Sequence, residues 1–251
     1  MSRPAPALRA TAALAAMELR LTARRGENVL VTLIIPAAVL LFFAGTSIVP
    51  FATNPVGFLL PGSIALGIVA AGLVNLGIAT AYERSYGVLK RLGGSPLPRW
   101  GLVGAKLAAV LVLEVVQLAL LIGVAVAVLG WQPGAGWSPP LLVAAVLLGT
   151  LAFAGLGLLL AGTLRAEATL ALANGLFLAF LMLGGVILPI DHLPAFIQPI
   201  AAVLPSTALA DLLRVALASG PQPPSAVGPL LILGAWGLAA AGLAVRSFRW
   251  D

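Results

Sequence analysis

The sequence contains few residues that could perform nucleophilic, acid–base or metal chemistry. It has no cysteine, and His192, which lies beside Asp191, is its single histidine. These counts exclude disulfides, thiol nucleophiles and metal sites built from several histidines. The two lysines, Lys90 and Lys106, both lie outside any Gly-x-x-x-x-Gly-Lys-Ser/Thr phosphate-binding loop. We therefore expect no catalytic residue, no metal and no cofactor bound by this chain, which has no visible means of holding ATP.

A different set of polar residues lies within long apolar runs. Glu114 is the one ionisable side chain deep in such a run, and Gln117 follows it on the same helical face. A charge at the middle of a bilayer is costly, so Glu114 must face protein or water, or be protonated. Asn75 and Asn174 come at similar predicted depths. These four residues are candidates for lining a transport pathway, and the alternative interpretation is hydrogen bonding that holds helices together.

The composition places most of the chain in lipid. Apolar residues make up 61% of the 251 residues and charged residues only 9%, whereas roughly 25% of an ordinary soluble domain is charged. A transmembrane helix needs about 20 mostly apolar residues, and six stretches qualify: 29–49, 58–81, 102–129, 140–162, 168–188 and 227–245. We predict an all-α membrane protein with six transmembrane helices, in a single domain over residues 1–251.

The basic residues indicate how the chain crosses the membrane. With these six spans, every Lys and Arg except Arg214 falls on one side. The positive-inside rule assigns that side, and with it both termini, to the cytoplasm. The bias toward Ala, Gly, Leu and Pro is typical of a GC-rich bacterial genome, so we expect a multi-pass protein of a bacterial inner membrane. The net charge of +6 is thus explained by topology, and no nucleic-acid partner is expected.

Three segments are predicted to lie beside the spans. Residues 1–28 are expected to form an interfacial amphipathic helix on the cytoplasmic surface, the alternative being a frayed tail. Residues 82–100 indicate a short, charged amphipathic helix that could dock onto a cytoplasmic protein, the alternative being a basic loop that only sets topology. Residues 189–225 are too apolar for a solvated loop and too rich in proline for a span. We predict a re-entrant pair of short helices there, in the outer leaflet near the exit of a pathway.

Residue spacing makes finer predictions within the last two segments. Tyr82, Tyr86 and Leu89 are expected to form one stripe of a continuous helix that Gly93-Gly94 ends. On that helix the pairs seven residues apart share a face: Glu83 with Lys90, and Arg84 with Arg91. Ser206 is expected to cap the second re-entrant helix, whose apolar face consists of Leu209, Leu212, Leu213 and Ala216.

Two motifs resemble those of a known family. The run Tyr82-Glu83-Arg84 … Gly87-Val88-Leu89-Lys90-Arg91-Leu92 … Ser95-Pro96 … Arg99-Trp100 resembles the E-R-x-x-G-T-L-(K/R)-R-L-x-x-(S/T)-P-x-x-x-W signature of type-2 ATP-binding-cassette (ABC) permeases, with Val88 where Thr is common. The stretch Gly184-Gly185-Val186-Ile187-Leu188-Pro189 … Leu193-Pro194 … Pro199 … Leu204-Pro205 … Ala210-Asp211 … Arg214 resembles the G-x-x-(F/L)-P-x-x-x-(L/M)-P … L-P … R pattern before the family's last helix. Drug exporters of the daunorubicin-resistance type are most similar, and lipid and polysaccharide exporters share the plan.

The resemblance implies roles for the two unusual segments. It implies that the first is a coupling helix contacting a separate ATPase subunit, which would hold ATP and magnesium, through Glu83, Arg84, Tyr86, Leu89, Lys90 and Arg91. It implies that the second is an exit segment containing Pro189, Pro194, Pro205, Asp211 and Arg214. The family also packs two permease subunits, identical or not, around a central pathway, largely through helices two and five. The implied function is export of a drug-like or lipid-like substrate, as in multidrug efflux and antibiotic resistance.

Three other functions stay open on the sequence. An ion-coupled secondary transporter would have inverted repeats, which we do not find. A membrane enzyme would have clustered catalytic groups at one depth. A sensor or immunity subunit of the same fold would share every feature above.

Overall fold

The computed structural model describes residues 6–24, 26, 30–45, 55–94, 99–186, 189–220, 222–223 and 225–247. Across these ranges the chain forms helices and turns, without a strand. The predictions for residues 1–5, for the end of the first span and the loop after it at 46–54, and for the Ser95-Pro96 and Ile187-Leu188 parts of the two motifs lie outside the described residues.

Ten helices follow one another in the described part of the chain. They are α1 (Ala7–Arg24), α2 (Ile35–Ala44), α3 (Pro55–Ser85), α4 (Val88–Gly93), α5 (Arg99–Ala127), α6 (Pro139–Thr163), α7 (Ala166–Leu183), α8 (Gln198–Ala202), α9 (Pro205–Leu217) and α10 (Val227–Ser247). A π-helical segment, Leu30–Ile34, leads into α2, and a second, Ala70–Leu76, lies within α3. A single 3₁₀ turn, Ile190–His192, precedes α8.

Five of these helices are long and apolar enough to cross a membrane: α3, α5, α6, α7 and α10. Their bounds overlap five of the six predicted spans. The first predicted span corresponds to a shorter apolar helix, Thr32–Ala44. The described residues therefore contain five candidate spans, and the count of six stays a prediction.

Helix α3 lies at the centre of the bundle and packs closely on α6. A Cβ atom added to Gly77 of α3 would stand 3.0 Å from the Cα atom of Gly157 on α6. Small residues are favoured at such contacts because helices in lipid associate through close packing rather than through the hydrophobic effect. Helix α7, in contrast, leaves most of its apolar surface exposed.

Of the three predicted non-spanning segments, the first two lie at one end of α3 and the third lies at the other end. Glu83, near the last residue of α3, lies beside α1, whereas Gly57, near its first residue, accepts a hydrogen bond from Ser219, just beyond α9. These positions on α3 are about 40 Å apart at the rise of an α-helix, enough to cross a bilayer core of about 30 Å. We call the two ends of the bundle the α1 end and the α9 end.

Candidate functional site

The predicted coupling segment at the α1 end consists of two helices joined by a turn. Helix α3 ends at Ser85, and α4 begins at Val88 after Gly87, whose φ is +71°. Glycine takes this left-handed conformation without steric cost, so it breaks the helix here. The prediction of one continuous helix is therefore wrong. Glu83 and Arg84 lie on α3, whereas Lys90 and Arg91, which were predicted to share a helical face with them, lie on α4.

Three of the six predicted coupling residues face their own chain. The Glu83 carboxylate accepts a hydrogen bond from Lys106, and the Arg84 guanidinium donates one to the carbonyl oxygen of Leu164, at the end of α6. Leu89 is almost completely buried. These contacts fix the turn and α4 to the bundle, so the three residues support the segment instead of forming its outer surface.

The other three predicted coupling residues, together with Val88, form an exposed surface. Tyr86 is 72% exposed, and its ring lies near that of Tyr82, with the centroids 6.0 Å apart and the planes tilted by 32°. Lys90 and Arg91 are also exposed and add two positive charges. We call Tyr86, Val88, Lys90 and Arg91 the coupling face. It combines an aromatic ring, an apolar side chain and two cations, and of these residue types tyrosine and arginine are enriched at protein interfaces.

Lys106 joins three elements at the α1 end. Its Nζ atom lies 2.9 Å from Glu18 Oε1 on α1 and 2.6 Å from Glu83 Oε2 on α3. The Lys106 side chain is only 3% exposed, and both carboxylates are largely buried. We call Glu18, Glu83 and Lys106 the Lys106 clamp. Sequence reasoning used Lys106 only as a topological charge, because nothing in the local pattern signals a partner 88 residues away.

A small apolar cluster joins the same region from a second side. It consists of Leu14 of α1, Leu89 of α4, and Leu102 and Ala105 of α5. This apolar cluster and the Lys106 clamp therefore both join α1 to the start of α5, and the cluster also joins α4 to them. A cavity of about 50 Å³ lies beside the clamp and is bordered by Asn75.

Asn75 contacts the first apolar helix rather than Asn174. Its Nδ2 atom donates a hydrogen bond of 2.7 Å to Thr32 Oγ1. Both residues lie in π-helical segments, Asn75 within Ala70–Leu76 and Thr32 within Leu30–Ile34. Such segments are rare and are often found at functional sites.

Asn174 lies on the exposed surface of α7. Its amide donates a hydrogen bond to the carbonyl oxygen of Leu170 in its own helix, at 2.9 Å. Exposed residues at helical spacing extend from it along α7 and form a stripe: Ala171, Asn174, Leu178 and Met182. We call this set the α7 stripe. Of the two asparagines that the sequence places at similar depths, Asn75 is thus partly buried against Thr32 and Asn174 is exposed on α7.

Glu114 and Gln117 are both buried between α3, α5 and α6. The Thr150 hydroxyl of α6 is hydrogen-bonded to Glu114 Oε2 and to the Val146 carbonyl oxygen. Glu114 Oε1 and both polar atoms of the Gln117 amide have no hydrogen-bond partner in the described structure. The Gln117 amide fills the space where Gly67 lacks a side chain. A threonine hydroxyl has one proton, so it cannot donate to two acceptors at once. Both contacts are satisfied when Glu114 is protonated and donates to Thr150.

Helix α9 is buried at the other end of the bundle and contacts α3, α6 and α10. It begins at Pro205, whose missing N–H and fixed φ suit a first helical position, and it spans 13 residues, too few to cross the bilayer core. The predicted apolar face of α9 is buried as expected. Ser206 does not cap the helix; its hydroxyl is buried against Gly184 and Leu204 occupies the N-cap position.

Arg214 fixes α9 to its surroundings. Its Nη1 atom lies 2.7 Å from Asp211 Oδ1, its Nη2 atom donates to the Gly185 carbonyl oxygen, and its guanidinium lies 4.6 Å from the centre of the Phe58 ring. Burial raises the pKa of Asp211, and the charge and hydrogen bond of Arg214 oppose that rise. Of the other predicted exit residues, Pro205 starts α9 and Pro189 and Pro194 flank the 3₁₀ turn before α8. Arg214, which the sequence analysis predicts to lie away from the other basic residues, is therefore held by a local partner.

The described structure is that of a multi-pass membrane protein, with charged turns at one end and a buried short helix at the other. The family model for the ABC-2 type transporter matches residues 9–218, which is more than four fifths of the chain. The chain therefore belongs to the ABC-2 type transporter family, as its resemblance to type-2 ABC permeases predicted. Comparison with curated proteins gives no match. The family supplies the transmembrane permease component of ABC transporters, which is not itself the ATPase and generally works with a cytoplasmic ATPase subunit.

Proposed function

We propose that this chain is the permease subunit of an exporter that moves a hydrophobic, drug-like or lipid-like substrate out of a bacterial cell. In this proposal the α1 end and both termini lie in the cytoplasm, and a separate ATPase subunit docks on the coupling face. That partner binds ATP and magnesium. The observation that carries the proposal is the contrast within one short segment: Tyr86, Lys90 and Arg91 are exposed while Glu83, Arg84 and Leu89 are fixed to the bundle.

The buried contacts determine which helices would move when the ATPase subunit displaces the coupling face. Leu89 and the Lys106 clamp connect the segment to α1 and to the start of α5. Arg84 connects it to the turn between α6 and α7 through the Leu164 carbonyl oxygen. Movement of the ATPase subunits would therefore be passed to several helices at once. The driving energy is the difference between the partner's affinities for the two states of the permease.

The α7 stripe is the surface proposed for a second permease subunit. An asparagine exposed on an apolar helix gains little from lipid, whereas across a helix interface its amide finds a partner. Gly175, next to Asn174, has open space around its Cα atom and would allow a close approach. A transport pathway between two subunits would then be lined partly by this helix. The partner is a second copy of this chain or a related permease.

One observation favours a second candidate function, an ion-coupled transporter. Glu114 is a buried carboxyl group with an unpartnered oxygen in a candidate span. Carboxyl groups in such positions serve as proton relays in pumps and transporters. Export that continues after cellular ATP is depleted, with the proton gradient intact, would favour this function over the first. A lipid or polysaccharide exporter of the same fold is separated from a drug exporter only by its substrate.

The proposal is tested by purifying the tagged chain from membranes of its own host. We expect an ATPase subunit with a nucleotide-binding cassette to co-purify with it. Arg91→Glu reverses a charge on the coupling face and should abolish that co-purification. Arg246→Glu is the matched control because Arg246 is an exposed arginine at the end of α10 and is not part of the coupling face, and it should retain the partner. Equal recovery of the ATPase with both variants would contradict the proposed docking site.

A further inference from the structure

Helix α1 carries a basic surface on its exposed side. Arg20 and Arg24 are about one turn apart, so they lie on the same face of the helix, and both are exposed. Met17, about one turn before Arg20, is 52% exposed and belongs to the same face. We call Met17, Arg20 and Arg24 the α1 basic face. None of these residues belongs to the coupling face or to the α7 stripe.

The opposite side of α1 contacts the bundle. Leu14 packs against the start of α5, and Glu18 binds Lys106. Arg20 follows Glu18 by two residues, which places it about 200° further around the helix axis. Glu18 is the only acidic residue of α1. The α1 basic face therefore contains two positive charges and no negative one.

The neighbours of α1 place its second half at the level of lipid. Thr22 borders the same small cavity as Val110 of α5 and Asn75 of α3. Val110 lies ten residues into one candidate membrane span, and Asn75 lies ten residues before the end of another, at Ser85. Ten residues of an α-helix rise about 15 Å. The end of α1 therefore lies beside these spans, whereas the coupling face, which begins at Tyr86, lies beyond them. In the orientation proposed above, the end of α1 is at the level of the inner leaflet.

Two exposed arginines at this level need a counter-charge. Neither Arg20 nor Arg24 forms a salt bridge with a residue that the structure describes. An unpaired charge in contact with lipid is costly, and lipid phosphates are the anions present where headgroups meet acyl chains. A guanidinium donates two parallel hydrogen bonds to a phosphate. Met17 adds an apolar side chain that suits the acyl chain of the same lipid.

We propose that the α1 basic face binds an anionic phospholipid of the inner leaflet, through Arg20 and Arg24 on its headgroup and Met17 on its acyl chain. A phospholipid with an ammonium group offers the same phosphate, but the second arginine repels that ammonium group. The site therefore favours phosphatidylglycerol over phosphatidylethanolamine. The lipid contacts the helix that the Lys106 clamp joins to the end of α3. The inference rests on the proposed orientation in the membrane, but not on the ATPase partner or on the exported substrate.

Two basic surfaces at the same end of the bundle provide matched variants. Arg20→Gln combined with Arg24→Gln removes two positive charges from the α1 basic face. Lys90→Gln combined with Arg91→Gln removes two positive charges from the coupling face and is the control. All four residues are exposed, so both double variants should fold with nearly unchanged melting temperatures. The single variants Arg20→Gln and Arg24→Gln serve if the first double variant folds poorly.

The measurement is native mass spectrometry of the full chain in mild detergent, titrated separately with phosphatidylglycerol and phosphatidylethanolamine. We expect the unaltered chain and the coupling-face control to bind phosphatidylglycerol more tightly than phosphatidylethanolamine. The double variant of the α1 basic face should bind phosphatidylglycerol about tenfold more weakly or worse and lose the preference, and each single variant should bind it several-fold more weakly.

Three results overturn the proposal. The first is a folded double variant of the α1 basic face that keeps the preference for phosphatidylglycerol. The second is an equal loss of that preference in the coupling-face control, which would reflect net charge alone. The third is a double variant that binds lipid normally but no longer co-purifies with an ATPase, which would assign the α1 basic face to a protein partner. Because the lipid titration needs no ATPase, its failure is distinct from failure of the proposed function.

Discussion

Lys106 and Glu83 form a salt bridge of 2.6 Å between two helices, in a region almost closed to solvent. Glu18 on α1 binds the same ammonium group at 2.9 Å. One lysine therefore holds the N-terminal helix, the end of the central helix and the start of α5 together. One of the residues that connect the coupling segment to the bundle thus lies outside the coupling motif.

We predict that Lys106→Met destabilises the protein because it leaves two largely buried carboxylates without a cation. Removing one partner of a buried ion pair costs roughly 3–5 kcal/mol, and we expect about 3 kcal/mol here because both carboxylates are partly exposed. Thermal unfolding in detergent measures the change. Lys106→Arg, which keeps the charge, should lose much less. A Lys106→Met protein that unfolds at the original temperature would show that the clamp does not form.

Arg84 and Arg91 should behave differently although both belong to the basic coupling motif. Arg84→Glu removes the donor to the Leu164 carbonyl oxygen, a contact between separate helices, and should lower the melting temperature. Arg91→Glu changes an exposed residue and should alter the free energy of unfolding by no more than about 0.5 kcal/mol. Melting curves of the two variants, recorded in the same detergent, test this difference. Equal stability of the two variants would place Arg84 on the outer surface instead.

Glu114→Gln should be tolerated better than any other substitution at this position. If Glu114 donates a proton to Thr150, glutamine can donate from its amide in the same place, and stability should change by less than about 1 kcal/mol. Glu114→Ala leaves a cavity and should cost at least about 2 kcal/mol. Unfolding measurements in detergent compare the two variants. A Glu114→Gln protein as unstable as Glu114→Ala would indicate that the carboxylate is needed in its charged form.

The absence of native cysteine allows a clean test of the α7 stripe. If the partner is a second copy of the chain, Asn174→Cys should form a disulfide-linked dimer on oxidation in membranes, because the stripe would face itself across a two-fold axis. Val143→Cys on α6 is the control, since this residue is also exposed but lies on another helix. Non-reducing electrophoresis separates the species. Dimers formed equally by both variants would reflect random collision rather than a specific interface.

How well the sequence predicted each feature depends on how far apart along the chain the residues that determine it lie. The apolar runs overlap five candidate spans because a helix that crosses lipid is apolar along its whole length. The helix break at Gly87 was missed because the 3.6-residue period was extended through a glycine that adopts a left-handed conformation. The inward position of Arg84 and the role of Lys106 depend on partners 80 and 88 residues away, which no local pattern reveals. Serine often caps helices, but α9 begins at Pro205, so Ser206 lies inside the helix.

The central claim is that the coupling face lies in the cytoplasm, where an ATPase subunit covers it. The most direct measurement is labelling of Lys90→Cys by a membrane-impermeant maleimide, with Phe196→Cys at the α9 end as the opposite reporter, since both residues are exposed. We predict that Lys90→Cys is labelled in inside-out vesicles once the ATPase has been stripped away, and that Phe196→Cys is labelled in intact cells. Labelling of Lys90→Cys from outside intact cells would contradict the account.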